Sequence, residues 1–205
     1  MLNEKEFKQN LFDKRVLLID DKIERNLMDE TIGKLFYLGM EGKMDDIHIV
    51  FNSVGGSAQG GLSIYDVICS LPMKKFGYVF TKCHSASLYP LLACDVRIGL
   101  PSSRFLMHSM KYDFTFKLNH PGGLLLENQA KHAIDEAQQL NNRKSLIFQK
   151  HLNISKEKVD ELENRGDNNE YSLFAKEAKE LGILTDIYDF SSDMPWIWNV
   201  AKFAK

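Results

Sequence analysis

Asp46-Ile-His-Ile-Val-Phe-Asn-Ser-Val-Gly-Gly-Ser57 is the stretch whose reading decides the fold. Its first half is a short apolar run, the pattern of a buried strand. Val54-Gly-Gly56 then turns the chain, and Ser57 to Leu71 forms a helix with Leu62, Ile64, Tyr65 and Ile68 facing inward. Upstream, Arg15-Val-Leu-Leu-Ile-Asp20 is another buried strand. Residues 24–42 place Leu27, Met28, Ile32, Leu35, Phe36 and Leu38 at helical spacing. Downstream, Tyr78-Val-Phe80 is a third strand, followed by a small-residue stretch and a helix near Ala86–Cys94. Val96–Gly99 and Arg104–Met107 are two further short strands. A long helix is expected over about Leu124–His151, with shorter ones over 155–164 and 173–181. The alternation of strand and helix predicts an α/β fold with a largely parallel sheet and crossover helices. In such folds chemistry collects where strands end and helices begin.

The bulk properties narrow the function. The chain has 205 residues, 44% apolar and 26% charged, which suits one domain with a sizeable core. Net charge is −2 with no long basic run, which argues against nucleic acid as a partner. No apolar run reaches the roughly 18 residues that span a bilayer. The opening MLNEKEFKQNLFDKR is polar and lacks the apolar centre of a signal peptide. Cys69, Cys83 and Cys94 show no metal-like spacing and read as reduced thiols in a cytosol-like compartment, each a small buried apolar residue.

Two segments, Asn52-Ser-Val-Gly-Gly-Ser57 and Thr81-Lys-Cys-His-Ser-Ala-Ser87, each follow a strand and precede a helix. A helix start leaves backbone N–H groups without intrahelical acceptors, and these favour developing negative charge. Paired glycines permit positive φ and remove the side chain that would block a substrate backbone. The first turn therefore supplies an oxyanion donor, and the second supplies a nucleophile and the donor next to it. A glycine pair is also ordinary turn punctuation. Ser85, Ser87 and Cys83 are the candidate nucleophiles, although serine at a helix start commonly serves as a cap. A nucleophilic serine needs a base in hydrogen-bond reach. His108 ends a short buried strand and is either that base or a core histidine. His84, adjacent to Ser85, diverges from it and reads as packing or exposed.

These residues resemble the ClpP family, the proteolytic subunit of Clp proteases, from Arg15 to about Ile187. The family's Asn-Ser-Pro-Gly-Gly-Ser loop resembles Asn52-Ser-Val-Gly-Gly-Ser57, and its Gly-x-x-Ile-Tyr-Asp helix resembles Gly61-Leu-Ser-Ile-Tyr-Asp66. Its Leu-Pro-Asn-Ser-Arg-x-Met-Ile-His resembles Leu100-Pro-Ser-Ser-Arg-Phe-Leu-Met-His108. The resemblance implies a ClpP/crotonase-like repeated β-β-α superhelix with a long handle helix. It implies a single peptidase domain over residues 1–205, with the handle region at about 109–151. Running the family pattern without gaps from Gly56 lands the catalytic serine on Ser85 rather than Ser87. The interval to His108 is shorter than in common bacterial enzymes. It fits a phage-type variant in which Ala-Gly-Asp runs straight into a strand, as Ala93-Cys-Asp95 does.

By the same resemblance, Gly56 and Ala86 give the oxyanion N–H groups. Phe174-Ala-Lys-Glu-Ala178 matches the segment just after the family's acid, which points to Glu170, with Asp167 the alternative under a shift of the loop. The family uses no metal and no cofactor. It cleaves unfolded protein or peptide chains in the cytoplasm, inside homo-oligomeric seven-membered rings that are usually stacked in pairs and served by an AAA+ unfoldase. Nucleic acid and membrane are not among its partners.

The departures lie at Thr81 and Lys82, where the family has small or apolar residues, and at Met110–Gly122, longer than the family's glycine-rich hairpin start. The segment before Arg15 is shorter than the family's axial loop, which bears on chaperone gating. The aromatic tail Asp193-Met-Pro-Trp-Ile-Trp198 reads as an interface patch or as a strand packed on its own domain. Two alternatives stand beside the peptidase: an inactive ClpP-like subunit of a mixed ring, and a crotonase-type acyl-CoA enzyme, which would not require Ser85 with His108.

Overall fold

Ile47, Ile49 and Phe51 are wholly buried, so the apolar run that precedes the glycine pair is a central strand with covered faces. In the computed structural model the described residues are 3–110, 123–164 and 170–188. The chain begins with α1 (Glu4–Phe12), β1 (Val16–Ile19), α2 (Arg25–Met40), β2 (Ile47–Ser53) and α3 (Ala58–Ser70). It continues with β3 (Lys75–His84), a 3₁₀ turn (Ser85–Ser87), α4 (Leu88–Leu92), β4 (Val96–Gly99) and β5 (Arg104–His108). The remaining elements are α5 (Gly123–His151), α6 (Lys156–Glu163), β6 (Glu170–Phe174), α7 (Ala175–Glu180) and β7 (Asp186–Ile187). Two compact units divide the chain: Met1–Leu106 with Ser172–Lys205, and Met107–Tyr171.

The first unit is built on a parallel sheet in the order β1-β2-β3-β4-β7. The alternation of strand and helix requires this, because a parallel neighbour is reached only through a crossover. Strand β3 is longer than the expected Tyr78–Phe80. Its lower half pairs with β2 and β4, and its upper half, Lys82–His84, pairs with Arg104–Leu106 of β5. Its register against β2 shifts between Phe51↔Val79 and Ser53↔Cys83, so β3 carries extra residues at this point. Such bulges bend a strand and re-aim the residues beyond them. Thr81 and Lys82, expected in a turn, therefore lie in the bulged strand, and the turn itself begins at Ser85.

On α2 the buried stripe is Thr31, Leu35 and Leu38, one face of a helical period. Phe36, expected on that face, is 55% exposed instead. Cys83 and Cys94 are buried, while Cys69 is exposed, against the expectation that all three pack inside. Helix α1 opens on a capping box. The Asn3 side chain accepts from Glu6 N–H at 2.9 Å, and the Glu6 carboxylate accepts from Asn3 N–H at 3.1 Å. Strand β7 has two residues, too few for a periodic signal.

In the second unit α5 and α6 bury Ile147, Phe148, Leu152, Val159 and Leu162. Among the described residues no helix is long and apolar enough to cross a membrane. Residues 111–122, Asp167 and the aromatic tail at 193–198 lie outside the described residues.

His48 lies buried in β2, its ring stacked on Phe76 at 5.2 Å and its Nδ1 3.4 Å from the Tyr78 hydroxyl. Burial, with the nearby Arg15 charge, lowers its pKa from 6.5 to about 3. Below pH 6.5 the unfolded chain takes up a proton here that the folded chain refuses until about pH 3. Stability therefore falls as pH drops through that window, by at most about 1.4 kcal/mol per pH unit from this group. Urea unfolding at pH 7 and pH 5 is expected to show that component in the native chain and not in His48→Phe. Equal pH dependence in the two would contradict it.

Candidate active site

Ser85 stands where β3 ends, and its backbone is held at φ +54°. A non-glycine residue adopts that conformation at a cost of order 1 kcal/mol, so the surroundings must impose it. A sharp strand-to-helix turn of this kind lifts a serine side chain to the top of a sheet. Ser85 is partly exposed, while Ala86 and Ser87 behind it are buried.

The neighbouring hydroxyl and thiol are excluded as nucleophiles by burial. Ser87 is 0% exposed, and its Oγ donates to the His84 carbonyl at 2.7 Å, so it serves the turn as a structural bond. Cys83 is wholly buried, its Sγ 3.3 Å from Ser87 Oγ. Burial pushes its thiol pKa up to about 12, far from the thiolate a nucleophile needs. Among the three candidates, only Ser85 reaches the surface.

The glycine turn sits directly against this serine. A Cβ on Gly55 would fall 2.6 Å from the His84 carbonyl oxygen, 2.7 Å from Ser85 Cβ and 2.9 Å from the Ala86 nitrogen. Gly55 has φ +87° and Gly56 φ +139°, both in the region that favours glycine. Backbone bonds hold the turn from the other side: Ile23 N–H donates to Gly55 O at 2.7 Å, and Ser57 N–H donates to Ile23 O at 2.8 Å. Ser53 completes the clamp. Its buried hydroxyl donates to Asp21 O at 2.6 Å and accepts from Gly55 N–H at 3.1 Å.

Two further residues support the site without having been singled out from the sequence. Ser53 lies within the Asn52–Ser57 motif, and a hydroxyl two residues before a positive-φ glycine is its local signal. Gly61 lets α3 approach the nucleophile turn, since a Cβ there would overlap the Ala86 carbonyl. A glycine inside a helical pattern was the available signal.

Gly56 N–H has no acceptor among the described residues. Ala86 N–H belongs to a first helical turn, whose donors lack intrahelical acceptors. The first unit thus brings together Ser85, Gly55, Gly56 and Ala86. His108 closes β5, two residues beyond Leu106, the partner of His84 in the parallel register. His108 belongs to the second unit, where its Nδ1 donates to the Ser109 carbonyl at 2.6 Å. That bond leaves Nε2 as the ring's acceptor, the arrangement a general base requires. Glu170 is the first residue of β6. Among the described residues no group of His, Cys, Asp and Glu could hold a metal ion.

Residues 3–190 match the family model described as Clp protease. The chain is 26% identical to ATP-dependent Clp protease proteolytic subunit 3 of Parasynechococcus marenigrum, over 83% of this chain and 80% of the relative. It is 28% identical to ATP-dependent Clp protease proteolytic subunit 1 of Rhodopirellula baltica, over 86% of this chain and 73% of the relative. Among solved structures, a point mutant of ClpP1 from Listeria monocytogenes aligns with TM-score 0.70 and 26% identity, covering 89% of this chain and 95% of that one.

The packing of Gly55 on Ser85 has a measurable consequence. Gly55→Ala is expected to destabilise the fold by about 2–4 kcal/mol, because its Cβ meets backbone rather than a flexible side-chain end. Gly33→Ala, on α2 with nothing within 4 Å of the new methyl group, is expected to stabilise by up to about 1 kcal/mol. Urea unfolding of both variants checks the contrast; equal effects would refute the close approach.

Proposed function

The chain belongs to the Clp protease family and is a serine-type peptidase of that family; from this premise we propose that Ser85 is its nucleophile and His108 its general base. The observation that carries the proposal is the seating of the glycine turn against a surface serine held at φ +54°. The register of β5 on β3 adds support, since it ends the strand beside the serine's own strand on a histidine.

In this reading His108 Nε2 accepts the Ser85 proton as Oγ attacks the carbonyl carbon of a peptide bond. Gly56 N–H and Ala86 N–H bind the oxygen that becomes negative. His108 then gives its proton to the leaving amine, and an acyl group remains on Ser85. A water molecule deprotonated by His108 attacks that ester and frees the carboxylic acid and the serine. Glu170 orients the imidazole, with Asp167 the alternative. The substrates are unfolded protein and peptide chains. The chain acts as a single peptidase domain whose handle region spans about 109–151. It works in the cytoplasm in a seven-membered homo-oligomeric ring, stacked in pairs and fed by an AAA+ unfoldase. The family match favours this reading over acyl-CoA chemistry, which makes no demand for a serine at position 85.

The test is covalent labelling. A fluorophosphonate probe is expected to mark the native chain and Ser87→Ala, and to leave Ser85→Ala unmarked. Labelling that persists in Ser85→Ala, or that vanishes in a folded Ser87→Ala, would overturn the assignment. Loss of either oxyanion donor costs typically about 10²–10³ in rate, so a bulky residue at Gly56 is expected to reduce peptide turnover by at least that factor.

A further inference from the structure

The first unit carries a polar cleft for which the peptidase reading has no role. It lies between the end of α1, the end of α2 and the loop that leads into β2, and it encloses about 500 Å³, a volume usual for small-molecule sites. Arg15 lines it. A guanidinium is all donor and no acceptor. Its Nη1 donates to Glu41 Oε2 at 2.7 Å and its Nε to the Asp46 carbonyl at 3.4 Å. Its Nη2 is buried with no hydrogen-bond partner among the described residues. A buried donor in that state calls for an acceptor.

The backbone gives a second, independent sign. Arg15 is held at φ +59°, and the other described non-glycine residue at positive φ is Ser85. Strain of this kind persists only where the surroundings impose it, and it gathers at functional sites. Here both ends of the residue are pinned: Arg15 N–H donates to the Phe12 carbonyl at 2.8 Å, and the Arg15 carbonyl accepts from His48 N–H at 3.0 Å.

The charges around the cleft are unevenly spent. Arg15 and Lys43 share one carboxylate, Glu41, at 2.7 and 3.6 Å, which leaves a surplus of positive charge in that group. Asp13 and Asp45 also line the cleft and make no ion pair among the described residues; Asp13 Oδ1 accepts only from Gln9 Nε2, at 2.7 Å. Phe12 and Tyr37 add apolar surface, their ring centroids 5.6 Å apart. An anion alone would meet two unpaired carboxylates. A cation alone would leave Arg15 Nη2 without its acceptor. A ligand that carries both charges on an apolar body answers every group.

We propose that this cleft binds a free α-amino acid with an apolar side chain: its carboxylate accepts from Arg15 Nη2 with Lys43 nearby, its ammonium pairs with Asp45 and Asp13, and its side chain rests on Phe12 and Tyr37. Tyr37 is 57% exposed and the Lys43 side chain 61%. Such side chains change rotamer in nanoseconds or less, so they admit the carboxylate to the buried nitrogen. The inference does not rest on the Ser85 assignment.

Isothermal titration calorimetry on the full-length chain tests it with probes of one shape: L-phenylalanine, hydrocinnamate, which lacks the ammonium, and phenethylamine, which lacks the carboxylate. L-Phenylalanine is expected to bind saturably, and each analogue at least about tenfold more weakly, the usual effect of one lost hydrogen bond to a charged group. Arg15→Lys removes Nη2 but also loosens the Glu41 bond, so the exposed rim carries the test. The double variant Asp13→Asn with Asp45→Asn keeps the shape of both side chains and removes their charge. It is expected to weaken L-phenylalanine by about tenfold or more and to leave hydrocinnamate no weaker. Absence of saturable L-phenylalanine binding would overturn the proposal, as would equal affinity for all the probes. An L-phenylalanine affinity unchanged in the double variant but lost on fluorophosphonate labelling would place the ligand at Ser85 and overturn it too.

Discussion

Everything at this site depends on how closely two stretches of backbone approach each other. The glycine turn touches the serine turn through atoms that a single added methyl group would occupy, at Gly55 against Ser85 and Ala86 and at Gly61 against the Ala86 carbonyl. Contact of this kind is backbone on backbone, so no side-chain rotation relieves a clash. The hydroxyl of Ser53 and the backbone of Ile23 hold the turn from behind, which gives the geometry a rigid support.

The strand that delivers Ser85 serves two sets of neighbours. Its lower half is a core element between β2 and β4; a bulge then interrupts the ladder to β2, which resumes at Ser53↔Cys83, and the upper half takes β5 as its other partner. The bulge accounts for Thr81 and Lys82, polar residues after the apolar run Tyr78–Phe80: they stand where the ladder to β2 is interrupted. A bulge costs local pairing and delivers direction. The direction matters here, because the strand must end on a serine whose backbone is strained and whose side chain stays at the surface while its neighbours sink.

Burial sorts the titratable groups of the chain into different tasks. Cys83 is two residues from Ser85, yet the apolar interior keeps its thiol protonated and inert. His48 is neutral for the same reason and behaves as an aromatic core residue. Burial raises the proton affinity of the Glu163 carboxyl, and the Lys144 ammonium beside it opposes that rise.

By itself the sequence determined the order of strands and helices, the parallel sheet, the glycine turn and the identity of Ser85 and His108 as candidates, because these are carried by local periodicity and by motifs a few residues long. It also determined the resemblance to Clp proteases that the family match bears out. Only the tertiary structure decided that Ser87 is buried and Cys69 exposed, since exposure is a property of what packs on a residue from elsewhere in the chain. The same holds for Phe36, which shares the helical spacing of Leu35 but meets no partner layer, and for the two-residue β7, whose existence depends on β4 beside it. The pairing of Lys144 with Glu163 was invisible for the same physical reason. The two residues lie on different helices, and nothing in either helix's own pattern records the charge waiting across the gap.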